Sequence, residues 1–126
     1  MGSENSNVLD VKEMQEFSQK FVKDRDWDQY QTPKNVAMGV AIEASELMEI
    51  FQWLTDQQSY DIKNDPEKKE QIADEMGDIL HYIIRLSTLL DIDLKEAFWQ
   101  KIRKTEAKYP VDLVKGKKDK YTAYVQ

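Results

Sequence analysis

Two pairs of acidic residues stand three positions apart in the sequence: Glu43 with Glu46, and Glu75 with Asp78. Because a helix turns about 100° per residue, side chains three positions apart address the same side of it. Carboxylates that converge inside a helical bundle repel one another and lose water, and a divalent cation relieves both costs. Oxygen ligands without histidine or cysteine favour Mg²⁺, with Mn²⁺ as an alternative, over zinc or copper. The two pairs therefore predict a magnesium site.

The same acids have a second interpretation, as solvated residues on helix flanks in a chain with 24 acids and 18 bases. Each pair alone fits that interpretation better, whereas two pairs at the edges of apolar stripes on successive helices make the alternatives about equal. Glu49, three residues after Glu46, falls on the far side of the helix from the apolar stripe. We expect it to lie outside the metal ligands, as an outer or subunit-contact residue.

Composition narrows the function classes. The chain has 126 residues, which suits one domain, and a formal net charge of -6, which argues against a general nucleic-acid surface. No apolar run approaches the roughly 20 residues that cross a bilayer, and no signal peptide is visible, so we expect a cytoplasmic protein without a membrane partner. The absence of cysteine and the single histidine, His81, exclude disulfides, thiolate zinc sites and most histidine-based sites.

Helical periodicity runs through most of the chain and predicts an all-α bundle of four to five helices. Asp10 to Glu13 and Asp93 to Glu96 have the form of capping boxes, and Thr32-Pro33 and Asp65-Pro66 are typical helix starts. The predicted helices run from about 11 to 23, 33 to 55, 66 to 90 and 94 to 108, with a polar linker at 56–65.

This pattern predicts a helical catalytic domain at 10–110, after a flexible N-terminus at 1–9. A basic tail at 111–126, packing on the domain or on a neighbouring subunit, follows and contains Lys115, Lys117, Lys118 and Lys120. The broad apolar stripe of the third helix predicts that more than one neighbour covers it.

Basic and aromatic residues supply candidates for nucleotide binding. Lys101, Lys104 and Lys108 form a ridge on the fourth predicted helix, although such a ridge is usually a solvated face. Three aromatic residues, Trp27, Trp53 and Tyr82, are suited to stacking on a flat ring, although aromatic residues are more often part of a core.

Longer stretches of the sequence resemble one family. The ordered acid pairs, with RDWDQYQTPKNVAMGVAIEASELMEIFQW, DEMGDILHYIIRLS and KYPVDLVKGKKDKYT, resemble the MazG-like all-α nucleoside triphosphate pyrophosphohydrolases, in particular their dCTP pyrophosphatase branch. The likeness spans about Phe17 to Thr122. It implies Mg²⁺-dependent cleavage between the α- and β-phosphates of a nucleoside triphosphate, with dCTP or a modified dCTP as the expected substrate. It also implies self-association as a dimer or tetramer, with active sites completed between subunits.

The resemblance also implies roles for individual residues. Its implied catalytic and metal-binding residues are Glu43, Glu46, Glu75 and Asp78, and its implied nucleotide-binding residues are Ser18, Trp27, Trp53, Tyr82, Lys101, Lys104 and Thr105. Trp27 and Trp53 correspond to residues that flank the base, and Lys101 to one that meets phosphate. Ser18 stands where dCTP-selective relatives carry a histidine, and Thr105 where many relatives carry an asparagine. These two departures bear on base preference and leave the metal ligands untouched.

Three other functions share part of this pattern. A phosphoribosyl-ATP pyrophosphohydrolase would use the same metals without the Trp27 and Trp53 base clamp. A helical interaction module or nucleotide sensor would bind without turnover, and the complete acid quartet argues against it. A di-iron carboxylate bundle requires Glu-x-x-His motifs on two helices, and His81 has no counterpart on the second helix.

Overall fold

A computed structural model of the protein describes residues 5–118 and 121–124, which contain helices and no strand. The six α-helices are α1 (Val11–Asp24), α2 (Pro33–Phe51), α3 (Asp56–Asp61), α4 (Pro66–Leu89), α5 (Leu94–Lys108) and α6 (Val111–Val114). Two 3₁₀ helices cover Ile62–Asn64 and Tyr121–Tyr124. The predicted all-α class is confirmed. Residues 1–4 of the predicted N-terminal segment and Lys120 of the predicted tail lie outside the described residues.

Side-chain caps explain where the four longest helices begin. The side chains of Asp10, Thr32, Asp65 and Asp93 each accept a hydrogen bond from a backbone N–H three residues later, at 2.9–3.2 Å. Such a cap stabilises a helix by about 1 kcal/mol. The predicted starts are confirmed. The reciprocal bond expected of Glu96 is absent from the described residues, because its Oε1 accepts from Gln100 Nε2 and Arg103 Nη2 instead.

The predicted end of the second helix and the predicted linker were wrong. Helix α2 ends at Phe51, and α3 with a 3₁₀ turn occupies most of residues 56–65. Thr55 Oγ1 accepts from the Gln58 N–H at 3.1 Å, and Gln58 Oε1 accepts from the Thr55 N–H at 2.9 Å. This complete capping box starts a new helix where the polar composition had suggested a loop.

The chain forms two compact units, Met1–Asp91 and Ile92–Gln126. In the first, α4 packs along α2 and also against α1, which confirms that more than one neighbour covers the broad apolar stripe of α4. The fully buried hydrophobic side chains of the described residues come from these three helices: Val22, Val36 and Ile84. The second unit contains α5 and α6. No helix in the described ranges is long and apolar enough to cross a membrane.

Candidate active site

Helices α2 and α4 bring three of the four predicted acids together. Glu43, Glu75 and Asp78 each offer a carboxylate oxygen within 4.8 Å of the others. Glu43 and Glu75 are half-buried, and each has one buried oxygen, Oε2, with no hydrogen-bond partner among the described residues. Because buried polar atoms are nearly always paired, these two oxygens fit a ligand that the protein itself does not supply. A hard divalent cation such as Mg²⁺ matches an all-carboxylate set.

The electrostatics of the cluster support the same conclusion. Burial raises the pKa of Glu43 to about 7, and the neighbouring Glu46, Glu75 and Asp78 side chains add to the rise. Burial also raises the pKa of Glu75 and outweighs the interaction with the Glu43 side chain, which lowers it, while the charges of Glu46 and Asp78 act in the same direction as burial. Carboxyl groups with raised pKa values in one cluster are typical of functional sites. Positive charge from outside the cluster would therefore favour its deprotonated form.

Glu46 and Glu49 take different positions relative to this cluster. Glu46 is exposed and outside the set of three converging oxygens, but its charge raises the pKa of both Glu43 and Glu75. Glu49 is also exposed and contributes to neither rise. Glu46 therefore acts on the cluster through its charge, and the roles of Glu46 and Glu49 stay predictions.

A cavity of about 170 Å³ adjoins the acid cluster. It is lined by Phe21, Trp27, Gln31, Glu43, Asp78, His81, Tyr82 and Arg85. The Phe21 ring meets the Trp27 ring edge-on at 5.8 Å and the His81 ring edge-on at 6.1 Å. Carboxylates at one part of the wall and aromatic rings at another suit a ligand with a charged end and a flat end.

Tyr82 reaches this cavity through a close approach of α4 to α2. A Cβ atom on Gly39 would lie 2.8 Å from Tyr82 Cε1 and 2.9 Å from Cζ, so only glycine admits the ring in this position. Tyr82 stands one turn after Asp78, which places it on the same face of α4.

Arg85 is a buried cation in the cavity wall, with 2% of its surface exposed. Its Nη2 donates to Asp28 Oδ1 at 2.8 Å and its Nη1 donates to Gln19 Oε1, while Nε is buried without a partner among the described residues. These bonds tie α4 to α1 and to the segment that carries Trp27. Arg85 therefore holds one aromatic wall of the cavity in place.

The remaining predicted nucleotide-binding residues lie elsewhere or act indirectly. Ser18 is buried, and its Oγ is 2.8 Å from His81 Nε2. Trp53 is 86% exposed and is not among the residues that line the cavity. In the Ile92–Gln126 unit, Lys101 and Lys104 are exposed, and Thr105 Oγ1 donates to the Lys101 carbonyl at 2.9 Å. Their roles in binding stay predictions.

Sequence reasoning missed four of the residues that line the cavity: Phe21, Gln31, His81 and Arg85. A signal for two of them was present on α4. His81 and Arg85 follow Asp78 by three and seven positions, a spacing that puts all three on one face of a helix. Phe21 fell within the apolar side of α1, and nothing in its spacing distinguished it from a core residue.

Comparison with known proteins gives consistent results. Residues 39–123 match the model of the MazG-like family. The chain is 30% identical over 112 residues to dCTP pyrophosphatase 1 of Mus musculus and 29% identical to that of Homo sapiens, in each case over 89% of its own length. It spans 66% of the length of these relatives. A crystal structure of a pyrophosphatase from Archaeoglobus fulgidus is similar with a TM-score of 0.75 and 31% identity, over 86% of this chain and 99% of that one.

Proposed function

The chain belongs to the MazG-like family, and we propose that it hydrolyses a nucleoside triphosphate to the monophosphate and pyrophosphate in a Mg²⁺-dependent reaction. We propose dCTP or a modified dCTP as the substrate. The observation that carries the proposal is the convergence of Glu43, Glu75 and Asp78 beside a cavity with aromatic walls. The names of the mammalian relatives support the choice of dCTP, and the archaeal structure supports a pyrophosphatase activity.

In this proposal the acids hold the metal. The proposed ligands for Mg²⁺, or for Mn²⁺ in its place, are Glu43, Glu75 and Asp78, whose oxygens converge, together with Glu46, whose charge acts on the same cluster. When bound, such an ion neutralises phosphate oxygens and lowers the pKa of water. The acids cannot contact a triphosphate directly at neutral pH without strong repulsion, so their position beside the cavity supports a role through a cation.

The base belongs at the aromatic end of the cavity. Phe21, Trp27 and Tyr82 present ring surfaces there, and stacking on aromatic side chains holds a base whatever its identity. From the resemblance we carry over Trp53 as a second residue that flanks the base. From the same resemblance we propose that Lys101 and Lys104 in the Ile92–Gln126 unit contact phosphate and that Thr105 contacts the nucleotide.

Self-association as a dimer or tetramer is a further part of the proposal. Met38, Ile42 and Met48 on α2 are each more than half exposed, as is Met76 on α4. Exposed apolar side chains grouped on a helix are typical of surfaces that another chain covers. Light scattering on the purified protein tests this, and a mass of one chain at micromolar concentration would contradict it.

Product analysis tests the proposed reaction. The purified protein is incubated with canonical and modified triphosphates in Mg²⁺, Mn²⁺ or EDTA, and nucleotides and pyrophosphate are quantified. We expect dCMP and pyrophosphate from dCTP with Mg²⁺ and neither in EDTA. Glu46→Gln and Asp78→Asn should abolish turnover with the helical circular dichroism unchanged, whereas Glu49→Gln should retain it. Release of phosphate and dCDP, or retained activity in both acid variants, would refute the proposal.

A competition experiment distinguishes dCTP hydrolysis from the related functions. Phosphoribosyl-ATP added to the dCTP reaction should inhibit it weakly if dCTP is the substrate. Strong inhibition with turnover of phosphoribosyl-ATP would favour that substrate instead. Mg²⁺-dependent nucleotide binding without any product would favour a sensor.

A further inference from the structure

His81 is an exposed residue whose ring is fixed by a buried one. Its Nε2 lies 2.8 Å from the Oγ of Ser18, which is 2% exposed. The bond joins α4 to α1 across 63 positions of sequence. The Ser18 hydroxyl therefore positions the imidazole.

Aromatic neighbours restrict the same ring further. The His81 ring lies 6.5 Å from the Tyr82 ring at an interplanar angle of 25° and 6.1 Å from the Phe21 ring at 77°. Phe21 in turn contacts Trp27. The imidazole is thus part of the group of rings where the proposed function places the base.

The hydrogen-bonding capacity of His81 is only half used. A neutral imidazole has one donor and one acceptor nitrogen. Nε2 is taken by Ser18, and the His81 side chain makes no other hydrogen bond among the described residues. Nδ1 is the free nitrogen of a polar side chain in the wall of a cavity whose other walls are largely rings and carboxylates.

A role as a metal ligand fits His81 less well. The converging ligand set of the described residues consists of Glu43, Glu75 and Asp78 and does not include it. The nitrogen bonded to Ser18 is also unavailable to a metal. Recognition of an uncharged polar group is the use that the free nitrogen supports.

We propose that His81 is a specificity-determining residue that hydrogen-bonds the polar edge of the nucleobase through Nδ1, and that Ser18 is its positioning residue. This inference rests on the proposed function and identifies which group recognises the base. In it, the buried Ser18 hydroxyl, which has no other side-chain hydrogen bond among the described residues, donates to Nε2, which leaves Nδ1–H as a donor. A donor at this position selects a base that presents a ring nitrogen as acceptor, as cytosine does at N3, over one that presents an N–H there, as uracil does.

The test compares dCTP with dUTP, because the two bases differ in the group that Nδ1 would meet. His81→Phe keeps an aromatic ring and removes both nitrogens. We expect the ratio of kcat/KM for dCTP to that for dUTP to fall about 10-fold, the scale of one lost hydrogen bond. Ser18→Ala should lower the same ratio less, and Ser18→Thr, which keeps the hydroxyl, should restore it.

The outcomes separate this inference from the proposed function. If the wild-type protein hydrolyses neither triphosphate, the proposed function fails and this inference fails with it. If the wild-type protein is active and His81→Phe leaves the dCTP to dUTP ratio unchanged, only the role of His81 is overturned. Equal slowing with both substrates would likewise overturn it, because a merely structural role lowers both rates without changing their ratio.

Discussion

The acid cluster on α2 and α4 and the lysines on α5 are built on the same sequence spacing but differ in their surroundings. Lys101 and Lys104 stand three positions apart and are exposed. An ion pair on the same helix, Arg103 Nη2 to Glu96 Oε1 at 3.3 Å, joins two exposed side chains. Glu43 and Glu75 are half-buried, and each has an oxygen shielded from water and left without a partner among the described residues.

This difference in burial decides whether a pattern of charged residues in the sequence indicates a binding site. Exposed charges are solvated and cost little wherever they stand, so their spacing alone carries little information. Buried unpaired carboxylate oxygens are costly, and a chain retains them only where something else compensates the cost. The burial of the acids therefore supports a metal centre, while the lysines depend on the family resemblance for their proposed role.

Glu43→Gln should have the largest effect, because it removes one converging carboxylate and keeps the shape of the side chain. We expect kcat/KM with dCTP and Mg²⁺ to fall by about 10³-fold, the scale seen when one preorganised electrostatic group is removed. The metal-free variant should melt at a higher temperature than the wild type at pH 8, because a buried charge and its repulsion are gone. Glu49→Gln is the control on the same helix. Equal losses of kcat/KM in Glu43→Gln and Glu49→Gln would show that the converging acid is no more important than the exposed one.

Gly39→Ala should have the next largest effect. Its Cβ would lie within 3 Å of two Tyr82 ring atoms, so the ring must shift, at a cost of about 1–3 kcal/mol in unfolding free energy. We expect KM for dCTP to rise because the cavity wall moves. Gly77→Ala is the matched control on α4, since a Cβ there meets nothing within 4 Å. It should stabilise the helix by about 0.5–1 kcal/mol. Equal melting temperatures for the two variants would contradict the close approach of the Tyr82 ring to Gly39.

The raised pKa of Glu43 predicts a pH dependence of stability in EDTA. Its carboxyl has a pKa of about 7 in the folded protein, above the ordinary value of 4.5, so the folded state holds the proton more firmly. The stability from this group is complete below about pH 4.5 and is lost as pH rises through about 7. The melting temperature of the wild type minus that of Glu43→Gln should fall across this range. A constant difference would show that Glu43 titrates normally.

Lys101→Ala should have the smallest effect, which sharpens the contrast with the acids. Because Lys101 is exposed, its loss should change the unfolding free energy by less than about 0.5 kcal/mol. KM for dCTP should rise by about 5-fold, the equivalent of 1 kcal/mol. Lys95→Ala, an exposed lysine on the same helix, controls for the loss of one positive charge. If the two variants raise KM equally, the effect comes from net charge alone.

Much of the fold was predictable because local chemistry determines it. Asp10, Thr32, Asp65 and Asp93 cap their helices through bonds to residues three positions later. The spacing of the acids also predicts that Glu43 and Glu49 lie on different sides of α2. The end of α2 was missed although its cause is local, because the Thr55 and Gln58 capping box lies within a polar segment that has no apolar periodicity.

The parts of the site that could not be predicted depend on long-range contacts. Ser18 and His81 are 63 positions apart, and Arg85 is 57 positions from Asp28. No periodicity within one helix reveals such partners, because they meet only when α4 packs against α1 and the segment after it. The role of His81 in the cavity therefore became visible only in three dimensions.

Calorimetric titration with Mg²⁺ is the most direct test of metal binding by the acid cluster on α2 and α4. Measured near pH 6.5 in buffers of different ionisation enthalpy, it reports both the affinity and the protons released on binding. Because Glu43 is partly protonated at this pH and a ligand must be deprotonated, we predict that wild-type protein and Glu49→Gln bind Mg²⁺ and release protons. Glu43→Gln should bind far more weakly and release fewer. Binding of Mg²⁺ to Glu43→Gln with wild-type affinity would contradict the claim that this acid cluster is a metal centre.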